Sequence, residues 1–562
     1  MIDYKIQIAD VICKHISEVV SPDDIIQAPS PDKGDLAFPC FRLAKTLKKS
    51  PAVIAAELAE KISLELPEFV EKVEPLNAYL NFFLWRDHFA KKVTNEIFEK
   101  GKQYGSSNIG EGKLVPIDYS SPNIAKHFHV GHLGTTLIGH ALYNIFNFLG
   151  YKAIGINYLG DWGTQFGKMI TAYKKWGNKE EIDRRGIDGL TEIYVRFHDE
   201  VERDPGLNDE ARAWMLKMQN QDEEALSLWK WFVNLSLKEY ERVYKRLGIT
   251  FESYRGESYY NDKMDAVVTE LAEKNLLIKS EGAMIVDLSE YNMPPCLILR
   301  GDGGTLYPTR DIAAALDRKK TYNFYKSLYV TALDQNLHFA QWMKVVDLMG
   351  YDWAKDMVHI PYGLVVFEEG KLSTRKGNVI KMEDLLNEAV AKTFDIINEK
   401  NPELPDKNEV AELVGVGAVI FNQMYNNRIK DVMFSWKRML NFDGETGPYV
   451  QYTHARACSV LEKGKYKTFS PSLLGDDYSY EVIKALNDFP GRVIEAHEKY
   501  EPFIISRCLV AIAQAYNKFY HNNIILSDDL ELTSARLALT DCVRIVIETG
   551  LALLGIKAPS KM

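Results

Sequence analysis

Hydrophobic and polar positions change period several times along the chain, and those changes divide it. The first 110 residues open with the amphipathic run MIDYKIQIAD and cross the turn-rich PSPDKGD. They continue as an Ala-, Leu- and Lys-rich stretch over 42–63 that predicts helix, and close on YLNFFLW, which reads as a buried strand. A small α+β unit over 1–110 is expected, ended by the Gly- and Ser-rich linker GKQYGSSNIGEGK. From Leu114 the pattern becomes strand, turn, helix, strand: LVPIDYS, SPNIAKHFHVGH, a helix with Leu133, Leu137, Ala141, Ile145 and Phe148 at turn spacing, then AIGINYLGD. Such alternation predicts an α/β fold with a parallel, doubly wound sheet that binds ligands at the carboxyl ends of its strands. Pro116 inside the first strand argues against a fully paired central position.

Long charged helices rich in Trp, Lys and Glu are expected as an insertion over about 180–250, with the sheet pattern returning near Glu281 and running through SLYVTAL and HIPYGLVVF. The α/β unit is thus expected over 111–384. Over 385–562 the amphipathic segments LVGVGAVIF, SRCLVAIAQAYNKFY and ARLALTDCVRIVIETGLALLG predict an all-α bundle. No internal repeat or low-complexity tract interrupts this plan.

Composition narrows the class. With 562 residues, 46% hydrophobic and 26% charged, the chain can bury several cores and is neither a single small module nor a disordered scaffold. No run is apolar enough for a signal peptide or membrane span. The cysteines Cys13, Cys40, Cys296, Cys458, Cys508 and Cys542 are scattered without a C-x-x-C pair, which disfavours a zinc ribbon or disulfide framework and fits a reducing cytoplasm. The formal charge of −10 disfavours nonspecific coating of nucleic acid yet permits local basic tracks, such as Arg42, Lys45, Lys48 and Lys49.

Four of the 12 histidines fall between His127 and His140. Structural roles suit His127 and His140, and a metal reading lacks further ligands at usable spacing. His129 and His132 stand at a helix start with Gly131 between them, where unpaired N–H groups, the helix dipole and imidazole donors suit a phosphate. A second basic loop, KLSTRKGN from Lys371 to Asn378, follows the strand GLVVF and offers lysines to a departing pyrophosphate.

H-V-G-H and K-L-S-T-R resemble the HIGH and KMSKS signatures of class I aminoacyl-tRNA synthetases. YSSPNIAKHFHVGHL, GDWGTQFG, LYPTRDIAAA after the GDGGT turn, DQNLHF, TGPYVQYTHARA and GLALLGIKAPSKM resemble, in order, the arginyl-tRNA synthetase family. GDLAFPCFRLAK and YLNFFL extend the likeness to that family's N-terminal domain. The resemblance implies a class I Rossmann-like catalytic domain, a tRNA-contacting N-terminal domain and a helical anticodon-binding domain. It implies activation of L-arginine by ATP and transfer to the 2′-hydroxyl of the terminal adenosine of tRNA(Arg).

On that basis His129, His132 and Lys371 are the expected catalytic residues, with Lys126, Gly131, Ser373 and Lys376 completing the ATP site. Asp118, Asn123 and Gln335 match positions that hold the amino acid's backbone ends. Glu257, Asp311 and Tyr307 are candidates for clamping a guanidinium, which needs carboxylates in fork geometry. Tyr449 and Tyr452 are candidates for stacking on tRNA bases. Mg²⁺ is expected to arrive with ATP, with no zinc and no dedicated metal cage, in a monomer. The chain departs from the family pattern at Thr374, in place of the second signature lysine, at Gly134, where an arginine is usual, and at Tyr158, where a histidine is usual.

Overall fold

The segment from Leu114 to Ile156 becomes strand, helix, strand because its apolar residues run continuously in the strands and recur every three to four positions between them. The structure, a computed structural model, describes residues 2–301, 303–367 and 380–562. Strand β1 (Leu114–Asp118) leads through the loop bearing the histidines to helix α1 (Leu133–Phe148) and strand β2 (Lys152–Ile156). Helix α2 (Tyr307–Tyr322), strand β3 (Ser327–Ala332), helix α3 (Asn336–Leu348) and strand β4 (Met357–Tyr362) supply the other half. The four strands are parallel in the order β4-β3-β1-β2, so the direction in which successive strands are added reverses between β1 and β3. Helix α1 buries Leu133, Leu137, Ile138, Ala141, Leu142, Ile145 and Phe146. Each large apolar side chain so buried contributes about 1.5–3 kcal/mol.

Pro116 does sit in a central strand, and hydrogen-bond parity explains it. The Tyr119 N–H donates to the Ile156 carbonyl, so odd-numbered residues of this segment face β2, while the Leu114 carbonyl accepts from Tyr325 on the opposite side. Pro116 shares the parity of Leu114 and faces the β3 side, where the ladder begins only at Ile117 with Leu328. Its missing N–H lies on that side, just ahead of the β3 ladder, and the pairing with β2 runs through it unbroken.

The expected insertion is helical throughout: Lys179–Arg185, Ile187–Val201, Leu207–Gln219 and Glu223–Leu247. The chain then rejoins the sheet edge, where Ser253 bridges to Ile156. One expectation fails. The strands that return near Glu281 do not extend the parallel sheet; Ile278–Ser280, Ala283–Val286 and Cys296–Leu299 form a separate antiparallel sheet. Polarity alone did not separate the two, because both are short apolar runs.

The chain divides into two compact units, one of Met1–Tyr104, Thr453–Gly491 and Cys508–Thr549, the other of Gly105–Tyr452, Arg492–Arg507 and Gly550–Met562. In the first, an antiparallel sheet in the order Ile26–Gln27, Leu36–Pro39, Tyr79–Leu84, Val70–Leu76 places the expected strand YLNFFL centrally. The stretch 42–63 is not one helix: Lys48 adopts φ 51°, and Ser50 caps a new helix, Pro51–Ile62. Asp35 ties sheet to helices within this unit, accepting from the Leu84 N–H at 3.0 Å and the Tyr480 hydroxyl at 2.8 Å. Beyond Met382 the described chain is almost wholly helical.

Candidate active site

At the carboxyl edge of the sheet, where β3 and β1 diverge, the structure opens a cavity of about 360 Å³. A crevice at that reversal is where open α/β sheets bind ligands. All six residues expected to hold the amino acid line it: Asp118, Asn123, Glu257, Tyr307, Asp311 and Gln335. Helix α2 supplies one wall from one face, Tyr307, Asp311, Ala314 and Arg318, at spacings of four, three and four that align along a helix. Helix α3 faces it with His338, Phe339 and Trp342, immediately after Gln335.

The carboxylates differ in their partners. Asp118, at the end of β1, lies 2.7 Å from Arg318 Nη2, and both are buried. The Arg318 guanidinium lies between the rings of Tyr158 and Tyr329, at 5.2 and 5.3 Å from their centroids. Glu257 lies 3.2 Å from Arg310. Burial pushes the Glu257 carboxyl up to about 7, with Arg310 pulling it down and Asp311 and Asp161 adding to the rise. Asp311 accepts at 2.6 Å from His338 Nε2 and at 3.5 Å from the Tyr158 hydroxyl. Asn123 is positioned by a parallel bridge to Gly160, where any Cβ would fall 2.3 Å from the Asn123 side-chain oxygen. Tyr240 Oη, 2.7 Å from the carbonyls of both Asn123 and Lys126, ties this loop to the helix Glu223–Leu247. Arg318 and His338 escaped the sequence reading. Arg318 follows Asp311 by seven residues, two helical turns on the same face, and His338 stands inside the quoted DQNLHF.

The histidine loop differs from its expectation in one respect. Its amides are not unpaired: His129 N–H donates to His132 Nδ1, Val130 N–H to the Ile380 carbonyl, Gly131 N–H to His129 Nδ1 and His132 N–H to the His129 carbonyl. Because a backbone N–H can only donate, both Nδ1 atoms hold lone pairs, and each ring proton sits on Nε2. Burial depresses both imidazoles, aided for His129 by the charges of Lys126 and His127, and His132 falls to about 3. The two rings stand 3.9 Å apart as neutral donors. His127 is engaged by Glu239 at 3.1 Å and Asp188 at 3.2 Å, and His140 is buried and pushed down to about 4, in keeping with structural roles for both.

Lys126 and Gly131 are exposed beside the histidines, outside the lining of the cavity. Lys371, Ser373 and Lys376 lie outside the described residues, as does Thr374. The chain resumes against the histidine loop, with Val130 N–H donating to Ile380 and Met382 N–H to the Phe128 carbonyl. Tyr449 and Tyr452 stand apart from the cavity on the helix Gly447–Lys463, the first half-buried and the second exposed. No group of three or more His, Cys, Asp or Glu among the described residues is arranged to hold a metal ion. No helix among them is long and apolar enough to cross a membrane.

Residues 92–436 match the family of class I (R) tRNA synthetase catalytic domains, 450–562 the DALR anticodon binding domain and 5–84 the arginyl tRNA synthetase N-terminal domain. The chain belongs to the arginyl-tRNA synthetases. It is 54% identical to the arginine–tRNA ligase of Alkaliphilus metalliredigens and 53% to that of Halothermothrix orenii, each over 100% of both chains. The solved arginyl-tRNA synthetase of Thermus thermophilus superposes with a TM-score of 0.83 at 26% identity, covering 99% of this chain and 100% of that one. Against this synthetase background two departures have local reasons. Gly134 leaves room for the Tyr362 ring, which a Cβ would approach to 2.5 Å. Tyr158 packs its ring by Arg318 and points its hydroxyl at Asp311.

Proposed function

We propose that the chain charges tRNA(Arg) in two steps within this cleft. The L-arginine carboxylate attacks the α-phosphorus of ATP to give arginyl-adenylate and pyrophosphate. The 2′-hydroxyl of the terminal adenosine then attacks the activated carbonyl, and AMP leaves. The observation that carries the reading is the convergence of the six expected amino-acid residues on one cavity at the reversal of the sheet, with the histidine-bearing start of α1 at the same edge. In this reading Asp311 and Glu257 take the guanidinium, Tyr307 covers its stem, and Asn123, Gln335 and the second oxygen of Asp118 orient the amino and carboxylate groups.

His129 and His132 offer Nε2–H to the α-phosphate as charge builds on its oxygens. Lys126 and, from the KLSTRKGN segment, Lys371, Ser373 and Lys376 meet the pyrophosphate, with Mg²⁺ entering as part of the ATP substrate. Tyr452 and Tyr449 contact tRNA bases. The likeness of 450–562 to anticodon-binding domains supports that placement. The test is a panel of labelled amino acids, each with ATP and total tRNA. Arginine alone should become attached to tRNA, and Asp311→Asn should cut its kcat/KM by on the order of 10² to 10³. Equal charging with another amino acid would overturn the reading.

A further inference from the structure

We propose that His338 sets the charge of the cavity: it holds Asp311 in place without fixing a permanent cation on it, and so acts as a positioning residue that makes the site selective for a cationic side chain. The inference rests on the reading of this cavity as the arginine site and assigns a residue which that reading leaves without a role.

The argument is a count of charges along the wall. Three carboxylates line the cavity, Asp118, Glu257 and Asp311. Two have permanent cations of their own: Arg318 lies 2.7 Å from Asp118, and Arg310 lies 3.2 Å from Glu257. Asp161, behind the wall, is held by the Ser258 N–H at 2.8 Å and the Ser258 hydroxyl at 2.7 Å. Arg255, the next cation along, is taken by Asp317 at 3.1 Å. Asp311 is left with His338 Nε2 at 2.6 Å and the Tyr158 hydroxyl at 3.5 Å, one donor on each oxygen. An imidazole can donate through Nε2–H and carry no charge, which neither lysine nor arginine can do.

The other titratable group facing His338 supplies no permanent cation. His359 is pushed down to about 4, chiefly by burial and then by the charge of Arg428, and its Nε2 lies 2.7 Å from Thr331 Oγ1. Among the described residues the wall therefore carries two carboxylates paired with permanent cations and one, Asp311, held at both oxygens without a permanent cation. A single incoming guanidinium completes the balance, whereas an uncharged isostere leaves Asp311 without its counter-charge. Discrimination arises from the partner that is withheld from Asp311 as much as from the contacts offered.

The experiment measures equilibrium binding of arginine and of citrulline, its uncharged urea isostere, to the full chain by titration calorimetry. His338→Gln keeps an uncharged donor, and its affinity for arginine should stay within about fivefold of the parent. His338→Lys places a permanent cation against Asp311. It should weaken arginine by about 100-fold or more while leaving citrulline within a few-fold, so the preference for charge collapses. A purely structural role would weaken both ligands together. Wild-type arginine affinity in His338→Lys, or parallel loss of both ligands, would each overturn the inference. A parent chain that does not prefer arginine over other amino acids would instead overturn the reading of the cavity on which it rests.

Discussion

Asp118 and Arg318 meet at 2.7 Å with 8% and 2% of their side chains exposed, joining the end of β1 to the fourth turn of α2. A pair this deep gives little net stability over an apolar one, but breaking it is costly, since the partner left behind is a buried, uncompensated charge. Arg318→Met should therefore lower unfolding free energy by about 3–5 kcal/mol in urea titrations, and Asp118→Asn in the same chain should restore a good part of it. A loss under about 1 kcal/mol would mean that water reaches the pair.

In the proposed reading His129 serves the transition state more than the ground state. His129→Ala should lower kcat for adenylate formation by on the order of 10² to 10³, leave KM for ATP and arginine within a few-fold, and affect transfer from preformed adenylate much less. A raised KM for ATP with kcat intact would assign His129 to ground-state binding.

Glu257 gives the arginine end a pH dependence whose sign is fixed. Its carboxyl is raised to about 7, and a bound guanidinium favours the ionised form. Arginine affinity should rise as pH increases through 7 and level off above it, with KM climbing by up to about tenfold per unit below. Glu257→Gln should lack the step near pH 7 and bind arginine weakly throughout. Kinetics between pH 5.5 and 8.5 would check it, and a KM that falls on acidification would refute it.

Gly134 is held by the ring of Tyr362 rather than by backbone conformation. Gly134→Ala should cost about 1–3 kcal/mol through overpacking, visible as a lower Tm, and Tyr362→Leu should recover part of that loss in the double variant. Additive losses would show that the two positions do not press on one another.

The parallel sheet and the residues that line the cavity were legible because their signals are local. Strand runs, turn-spaced apolar residues and a helix start can be read within 20 residues, and Asp311 announces itself in TRDIAAA. What stayed hidden is pairing between distant positions. Arg318 and Asp118 are 200 residues apart, and nothing near either one indicates that the arginine belongs to the first strand. His338 and Asp311 meet across two helices for the same reason. The break at Lys48 went unread because the flanking residues all favour helix, although Ser50 and Pro51 carry a start signal of their own. At Pro116 the composition was noticed correctly, and only the parity of the ladder could show that a proline is harmless there.

The amides from His129 to His132 are all engaged within the loop or by Ile380, and this changes the kind of anion site the start of α1 can be. A glycine-rich cradle presses backbone N–H groups against a phosphate and grips it equally before and after reaction. Here the backbone braces two rings, and the rings do the reaching, so the donors stand a side chain's length away from the main chain and at fixed angles to each other. Such a site has no reserve of protons near neutrality and cannot wrap itself around whatever anion arrives. In the proposed reading it is matched to one geometry, and a phosphorus centre must move into that geometry to receive both hydrogen bonds.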